Sequence, residues 1–271
     1  LEGSIIDNLA IKKYPRYLKP NMERFDPVEL AAQTERIMSR QGNERKYTAF
    51  YATGVYGGIA TGYTVGCCLR CYYCWVDWSR DFPEKYGEFY SAKAAYENLI
   101  NTAKKFGVRK ARISGAEPTL CKQHLLELLE YIEGSNLDVF ILETNGVLFG
   151  KDSDYVRAIS KFTIPHIRLC LKAGTSKGWA ERTGATPESF ELPYQGIKNL
   201  KDFGVSFHIA AMTDPRIMDN EERKILIRKV MEIDPRLALH IEEEIIDPYE
   251  TTLARLKHAA VDLDWTIYKR F

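Results

Sequence analysis

Two spacings of apolar residues alternate along most of this chain. From about residue 55, short β-branched or alternating runs are each followed by a longer stretch in which apolar positions recur every three or four residues. The short runs read as strands: VYGGIATGYTV in 55–65, RKARIS in 109–114, DVFIL in 138–142, HIRLCLK in 166–172, VSFHIAAM in 205–212 and LALHIEEEII in 237–246. Helices are predicted between them. The span 91–106 puts Ala95, Leu99, Ala103 and Phe106 on one stripe and stops at Gly107. HLLELLEYIE turns Leu125, Leu128, Leu129 and Ile132 inward. Further helices are expected near 153–160, near 188–202, in DNEERKILIRKVMEI with Asp219 as cap, and in PYETTLARLKHAA. Ahead of this alternation lies one more helix, with Asp26 as N-cap, Pro27 in the first turn, Glu29 behind the cap and Gly42 as stop.

Six strands, each followed by a helix, make a repeated parallel unit, with right-handed crossovers by default. That pattern fits an incomplete (β/α) barrel or a doubly wound sheet. Both folds place ligands at the C-terminal ends of the strands. The Gly-rich or polar signals follow strand ends here: GCCLRCYYC, SGAEP, ETNG and the Leu171-Lys172 pair.

Composition narrows the classes. The 271 residues are 45% hydrophobic and 28% charged, as in an ordinary globular protein. Lys+Arg 38 against Asp+Glu 37 leaves a net +1, so no bulk basic field points to nucleic acid. No apolar run is long enough to span a bilayer. The start, LEGSIIDNLA, lacks the regions of a signal peptide, and without Met it reads as a trimmed or tag-derived end. Six cysteines in this length do not make a secreted disulfide scaffold; a reducing cytoplasm with cysteines kept for metal is expected.

Four of those six cysteines fall in GCCLRCYYCW, residues 66–75. Counted from Cys67, three residues precede Cys71 and two precede Cys74; counted from Cys68, the gaps are two and two. Closely spaced thiolates on a loop can wrap one metal centre. A structural zinc would need a fourth ligand from Cys121, Cys170 or a distant His, because no second Cys-x-x-Cys and no His pair at finger spacing exists. The alternative is a [4Fe–4S] cluster on Cys67, Cys71 and Cys74, with one iron open to a small molecule.

Cys67-x-x-x-Cys71-x-Tyr73-Cys74, with an aromatic before the last Cys, resembles the signature of radical S-adenosylmethionine (SAM) enzymes. The resemblance implies that the open iron chelates the amino and carboxylate groups of SAM, and that reductive cleavage releases a 5′-deoxyadenosyl radical that abstracts hydrogen. Cys68 is then a small buried non-ligand, and Tyr73 occupies the position whose backbone faces the adenine. Tyr72, Tyr73, Trp75 and Trp78 read as shielding rather than as a base-stacking surface.

The other strand ends extend the resemblance. SGAEPTL is similar to the family's Gly-Gly-Glu-Pro motif, with Ser114 and Ala116 as departures; backbone carbonyls of Gly115 and Ala116 and the charge of Glu117 would receive an ammonium. LETNG resembles the Asp-Thr-Asn-Gly run of the glycyl-radical activases typified by pyruvate formate-lyase activating enzyme, and Glu143, Thr144 and Asn145 become candidates for a SAM polar group. RLCLKAG aligns with that branch's Asp-Leu-Lys: Lys172 matches and would pair with the SAM carboxylate, while Cys170 stands where the Asp would be. Alternation puts Arg168, Cys170 and Lys172 on one face, which makes the lumen polar if that face is interior. His208 sits where a basic residue reaches SAM, and Glu250 replaces the His of a Pro-Tyr-His ending.

The resemblance covers roughly residues 55–255. It implies an α/β fold, a partial (β/α)6 barrel, with an N-terminal extension over 1–54 carrying one helix and a C-terminal extension over 256–271. A lateral opening would admit large substrates. The expected partners are a reductant such as flavodoxin or ferredoxin and a protein or peptide substrate. A small molecule of cofactor or modified-nucleoside biosynthesis is the alternative, and a non-catalytic zinc or Fe–S module the third. Only Cys121 and Cys170 lie outside the loop, which leaves little room for an auxiliary cluster.

Overall fold

The structure is a computed structural model that describes residues 14–40 and 43–266. Nine strands form one sheet among these residues. Three are antiparallel additions at one edge: β1 (Ser39–Arg40), β2 (Glu44–Thr53) and β4 (Glu88–Tyr90). The rest are β3 (Ile59–Thr64), β5 (Lys110–Gly115), β6 (Val139–Thr144), β7 (Pro165–Leu171), β8 (Phe207–Met212) and β9 (Glu242–Glu244), all parallel and neighbouring in chain order. β3 turns its other edge to β2, and β9 pairs only with β8 among the described residues, so the barrel stays open. This is the incomplete (β/α) barrel that the strand–helix alternation allows, rather than a doubly wound sheet.

The helices are α1 (Pro27–Met38), α2 (Ala92–Phe106), α3 (Lys122–Glu133), α4 (Val147–Lys151), α5 (Ser153–Ile159), α6 (Ser176–Thr183), α7 (Glu191–Asp202), α8 (Asn220–Ile233) and α9 (Glu250–Ala259). Local chemistry sets their ends. Asp26 accepts from the Val28 amide, Ser91 from Ala94 and Asp219 from Glu222, and Gly107 closes α2 in the left-handed region.

Period two sorts the strand side chains. Ala111, Ile113, Phe140, Leu142, Ile167, Leu169 and Leu171 are buried with the helices' apolar stripes, including Leu125, Leu128, Leu129 and Ile132 of α3. The intervening residues Arg112, Ser114, Glu143, Arg168 and Cys170 share hydrogen bonds with facing strands on the other side, the lumen. Gly150 lets α4 touch α7: a Cβ there would stand 1.9 Å from the Leu192 carbonyl oxygen.

Several boundaries differ from expectation. The predicted stop at Gly42 lies outside the described residues, and α1 already ends at Met38, because Ser39 turns extended and pairs with Arg45. The first parallel strand begins at Ile59; residues 55–57 form a tight turn with Tyr56 at φ 54. Phe106, the last residue of its helix, is 56% exposed rather than buried with its stripe. The sixth parallel strand is only three residues, because Asp234 and Pro235 start a 3₁₀ turn that runs to His240. Ser39–Arg40 and Glu44–Thr53 add strands to the sheet itself, which the mixed charged and aromatic stretch ERKYTAFYAT did not announce. No helix among the described residues is long and apolar enough to cross a membrane.

Candidate active site

The loop after β3 carries the clustered cysteines over the C-terminal ends of the parallel strands. Its backbone is held by three buried arginines, one for each candidate ligand. Arg70 donates to the Cys67 carbonyl at 2.7 Å, Arg80 to the Cys71 carbonyl at 2.7 Å and Arg255 of α9 to the Cys74 carbonyl at 2.6 Å. Arg255 also donates to the carbonyls of Val76 and Asp77, and Asp81 lies between Arg80 and Arg255. Burial would raise the Asp81 pKa, but the two guanidinium groups hold it below the usual carboxylate range. These carbonyls and charges are compensated away from water, which fixes the loop. Arg70 lies inside the cysteine motif itself, but Arg80 and Arg255 belong to no local motif, and the contact of Arg255 spans 181 positions.

The structure separates the two cysteine registers. Cys67, Cys71 and Cys74 line a cavity of about 350 Å³, while Cys68 is fully buried and does not. A hydrogen bond from the Cys68 thiol draws the Cys67 pKa down to about 7, with a further bond from the Leu69 amide, and Cys68 is pushed up. Burial pushes Cys71 up to about 12. All six cysteines are free thiols.

The same cavity collects the other strand ends. Tyr73, Gly115, Ala116, Glu117, Glu143, Thr144, Asn145 and Lys172 line it, together with Cys170. His208 stands apart, on the lumen side toward the other end of the strands, stacked on His166 with ring centroids 5.0 Å apart and bonded to Glu242 at 3.0 Å. Gly115 has φ +96, and a Cβ there would meet the Tyr63 ring at 2.9 Å, so the strand end can turn out only with glycine.

Two of the candidate carboxylates are already engaged. Glu117 is 2% exposed and accepts from the Thr119 amide at 3.0 Å, the Thr119 hydroxyl at 2.6 Å, the Thr144 hydroxyl at 2.7 Å and the Asn145 amide at 2.9 Å. It ties the end of β5 to the end of β6. Glu143 pairs with Arg112 at 2.5 Å and accepts from Ser114 and Tyr56. Asn145 reaches the cysteines instead, its amide nitrogen 3.3 Å from the Cys68 sulfur and 3.8 Å from the Cys67 sulfur.

Across the cavity Lys172 donates to the Cys170 sulfur at 2.6 Å, and Cys170 donates to Glu244 of β9 at 2.7 Å. Glu244 also accepts from Arg168 at 2.6 Å. Burial would raise the Glu244 pKa, but Lys172 and Arg168 bring it down to about 2; burial and Glu244 push Cys170 up to about 12. Lys172 stays charged, its pKa raised by these partners against the cost of burial. Arg112 and Glu244 were not expected from the motifs. Both occupy lumen-facing positions of their strands, so strict alternation in RKARIS and LALHIEEEII is the signal that could have found them.

The residues present fit the expected cofactors. Three thiols on an arginine-clamped loop supply soft ligands, and two N–H groups, from Leu69 and Asn145, point at the Cys67 sulfur. The turned-out strand end at Gly115, the buried cation of Lys172 and the cavity itself match a zwitterionic nucleoside. No three His, Cys, Asp or Glu side chains converge among the described residues as they would on a single ion; ligands of a cubane stand wider apart.

The radical SAM superfamily model matches residues 62–228, more than half of the chain. A probable GTP 3′,8-cyclase of Methanococcus maripaludis strain C6 is 34% identical over 207 residues, which are 71% of this chain and 67% of the relative. A probable GTP 3′,8-cyclase of Methanococcus vannielii is 26% identical over 206 residues. Among solved structures, SuiB of Streptococcus suis bound to S-adenosylmethionine superposes with a TM-score of 0.57 at 19% identity, covering 76% of this chain and 43% of that one. TYW1 with a lysine-pyruvate adduct gives 0.51 at 19% identity, over 69% of this chain and 64% of that one. The chain thus spans two-thirds of the curated relatives' length and less than half of SuiB, and the structural likeness shows the fold alone. Both of these relatives are named as probable GTP 3′,8-cyclases, not as glycyl-radical activases. On the match over residues 62–228, the chain belongs to the radical SAM superfamily, whose cofactors are a [4Fe–4S] cluster and S-adenosylmethionine.

Proposed function

We propose that Cys67, Cys71 and Cys74 hold the cluster, that Lys172 and the backbone of Gly115 and Ala116 hold the methionine end of SAM, and that the enzyme takes hydrogen from a peptide or protein substrate. When bound, the cluster and SAM would supply the one-electron reductive chemistry by which hydrogen is taken from a substrate. The chain's own residues do the rest. The arginine clamps hold the loop still, and the Glu117 bridge keeps two strand ends together. One observation carries this reading: the three cysteines and eight further motif residues, scattered over four strand ends, line one cavity. The test is anaerobic reconstitution with iron, sulfide and a flavodoxin or ferredoxin system. Brown protein that releases 5′-deoxyadenosine from SAM is expected; iron-free, SAM-inert protein would end the reading.

A second reading is favoured by the names of the curated relatives: a small-molecule substrate, GTP. A bond between ribose C3′ and base C8 requires loss of the C3′ hydrogen. GTP deuterated at C3′ therefore passes deuterium into 5′-deoxyadenosine if this reading holds, and passes none if the substrate is a peptide.

A further inference from the structure

Four charged side chains are packed out of water behind the cysteine loop: Arg70 and Asp81 are 0% exposed, Arg80 and Arg255 1%. Asp81 stands between Arg80 and Arg255, so this trio carries one net positive charge. Arg70 carries another. Its donors go to the carbonyls of Pro15, Cys67 and Leu69, its remaining Nη is buried without a partner among the described residues, and the Tyr14 ring lies 4.8 Å from its guanidinium carbon.

The surrounding acids are engaged elsewhere. Glu84 pairs with Arg16 and Glu222 with Arg182, while Glu242 and Glu244 are set against Arg168 and Lys172. Glu117 faces the loop from the strand side, and buried Arg45 offsets it, donating to the Glu117 carbonyl at 2.8 Å. Asp77 accepts from the Ser79 amide at 2.9 Å and is partly exposed, where water screens it. Buried charge without a counter-charge is costly. The loop itself can supply the counter-charge. The guanidinium groups sit on the carbonyls of Cys67, Cys71 and Cys74, one residue's length from the three sulfurs, and a thiol that ligates a metal gives up its proton.

We propose that this buried set governs how readily a cluster on Cys67, Cys71 and Cys74 takes up an electron, with Arg70, Arg80 and Arg255 favouring the reduced form and Asp81 opposing it; the inference rests on the cluster reading above. An added electron is one more negative charge in a water-poor setting, where a nearby unit charge acts far more strongly than in water. A clamp that only held the loop would work through its hydrogen bonds. A charge acts through space, so removing Asp81 and removing Arg70 must move the potential in opposite directions.

The test is a redox titration of anaerobically reconstituted protein without SAM, followed by visible absorption, for wild type, Asp81→Asn, Arg70→Met and Arg70→Lys, with iron and sulfide measured in each. At a fixed poise Asp81→Asn should raise the ratio of reduced to oxidised cluster about tenfold, which is about 59 mV for one electron. Arg70→Met should lower it by a similar factor. Arg70→Lys keeps the charge and loses the planar fork, and should stay within about twofold of wild type. Unmoved ratios in both Asp81→Asn and Arg70→Met overturn the proposal. So do shifts of the same sign, since a loosened loop that admits water would act alike on both. Should Asp81→Asn lose its cluster, the contrast between Arg70→Met and Arg70→Lys decides: equal shifts assign the effect to hydrogen bonds and overturn the role of charge. Wild type free of iron and sulfide ends the cluster reading and this inference with it. Wild type with a cluster whose potential ignores these substitutions ends this inference alone.

Discussion

Cys170 in β7 and Lys172 just beyond its end meet with the ammonium 2.6 Å from the sulfur, and Glu244 on β9 receives the thiol's hydrogen at 2.7 Å. The carboxylate of this trio has a folded pKa of about 2 against an ordinary value of 4.5. A depressed acid stabilises the fold above its unfolded pKa and loses that contribution as pH falls through the folded one. Between about pH 5 and pH 2 this group should withdraw up to about 3 kcal/mol of stability. Urea unfolding of wild type and Glu244→Gln across that window checks it: the variant should be less stable at pH 7 and show a flatter acid slope.

His124 supplies a second, earlier acid window. Its Nδ1 donates to the Asn43 carbonyl at 2.7 Å and its Nε2 accepts from the Tyr47 hydroxyl at 2.7 Å, a neutral arrangement. Burial, then the neighbouring Arg45, brings its pKa down from 6.5 to about 4. The unfolded chain binds the proton first, so stability is fully present above about pH 6.5 and falls toward pH 4, by about 3 kcal/mol at most. His124→Gln, which cannot take the charge, should remove the part of the melting-temperature slope between pH 7 and pH 4 that wild type shows.

The neighbouring thiols Cys67 and Cys68 should differ in kind. Alanine at Cys67, Cys71 or Cys74 should abolish the broad visible absorption of the reconstituted cluster and reduce bound iron to background. Cys68→Ala should keep most of the iron, and raise the Cys67 pKa by removing its donor. Iron lost in Cys68→Ala but kept in Cys67→Ala would reverse the assignment of the register.

Arg255→Met should act on the loop from a distance. It strips donors from the carbonyls of Cys74, Val76 and Asp77 and leaves Asp81 with Arg80 alone. Removing one partner of a buried ionic network costs about 3–5 kcal/mol. The variant should melt lower and lose iron to a chelator several times faster than wild type, because a looser loop exposes the cluster.

How much of this was legible in the chain depends on the range of the interaction. The six parallel strands were readable because each carries its own period and is followed by its own helix, and the cavity residues because they close strand ends in short motifs. β2 was not, since ERKYTAFYAT buries Arg45, Lys46 and Tyr47 through partners far away: Arg45 donates to the carbonyl of Leu120 and Lys46 to that of Pro83. The helices α4 and α6 were too short to show a period. Glu117 was recognised as part of a motif, yet its four hydrogen bonds to residues 119, 144 and 145 needed the fold to be seen. His208 lay on the expected face but nearer the opposite end of its strand, which alternation alone does not reveal.

The clamp of Arg255 on the Cys74 carbonyl also sets an order of events during synthesis. The last of the three guanidinium groups that still the cysteine loop leaves the ribosome 181 positions after the cysteine whose carbonyl it holds. Maturation with iron and sulfide on a nascent chain would meet a floppy loop; the competent acceptor exists only once α9 has emerged and docked.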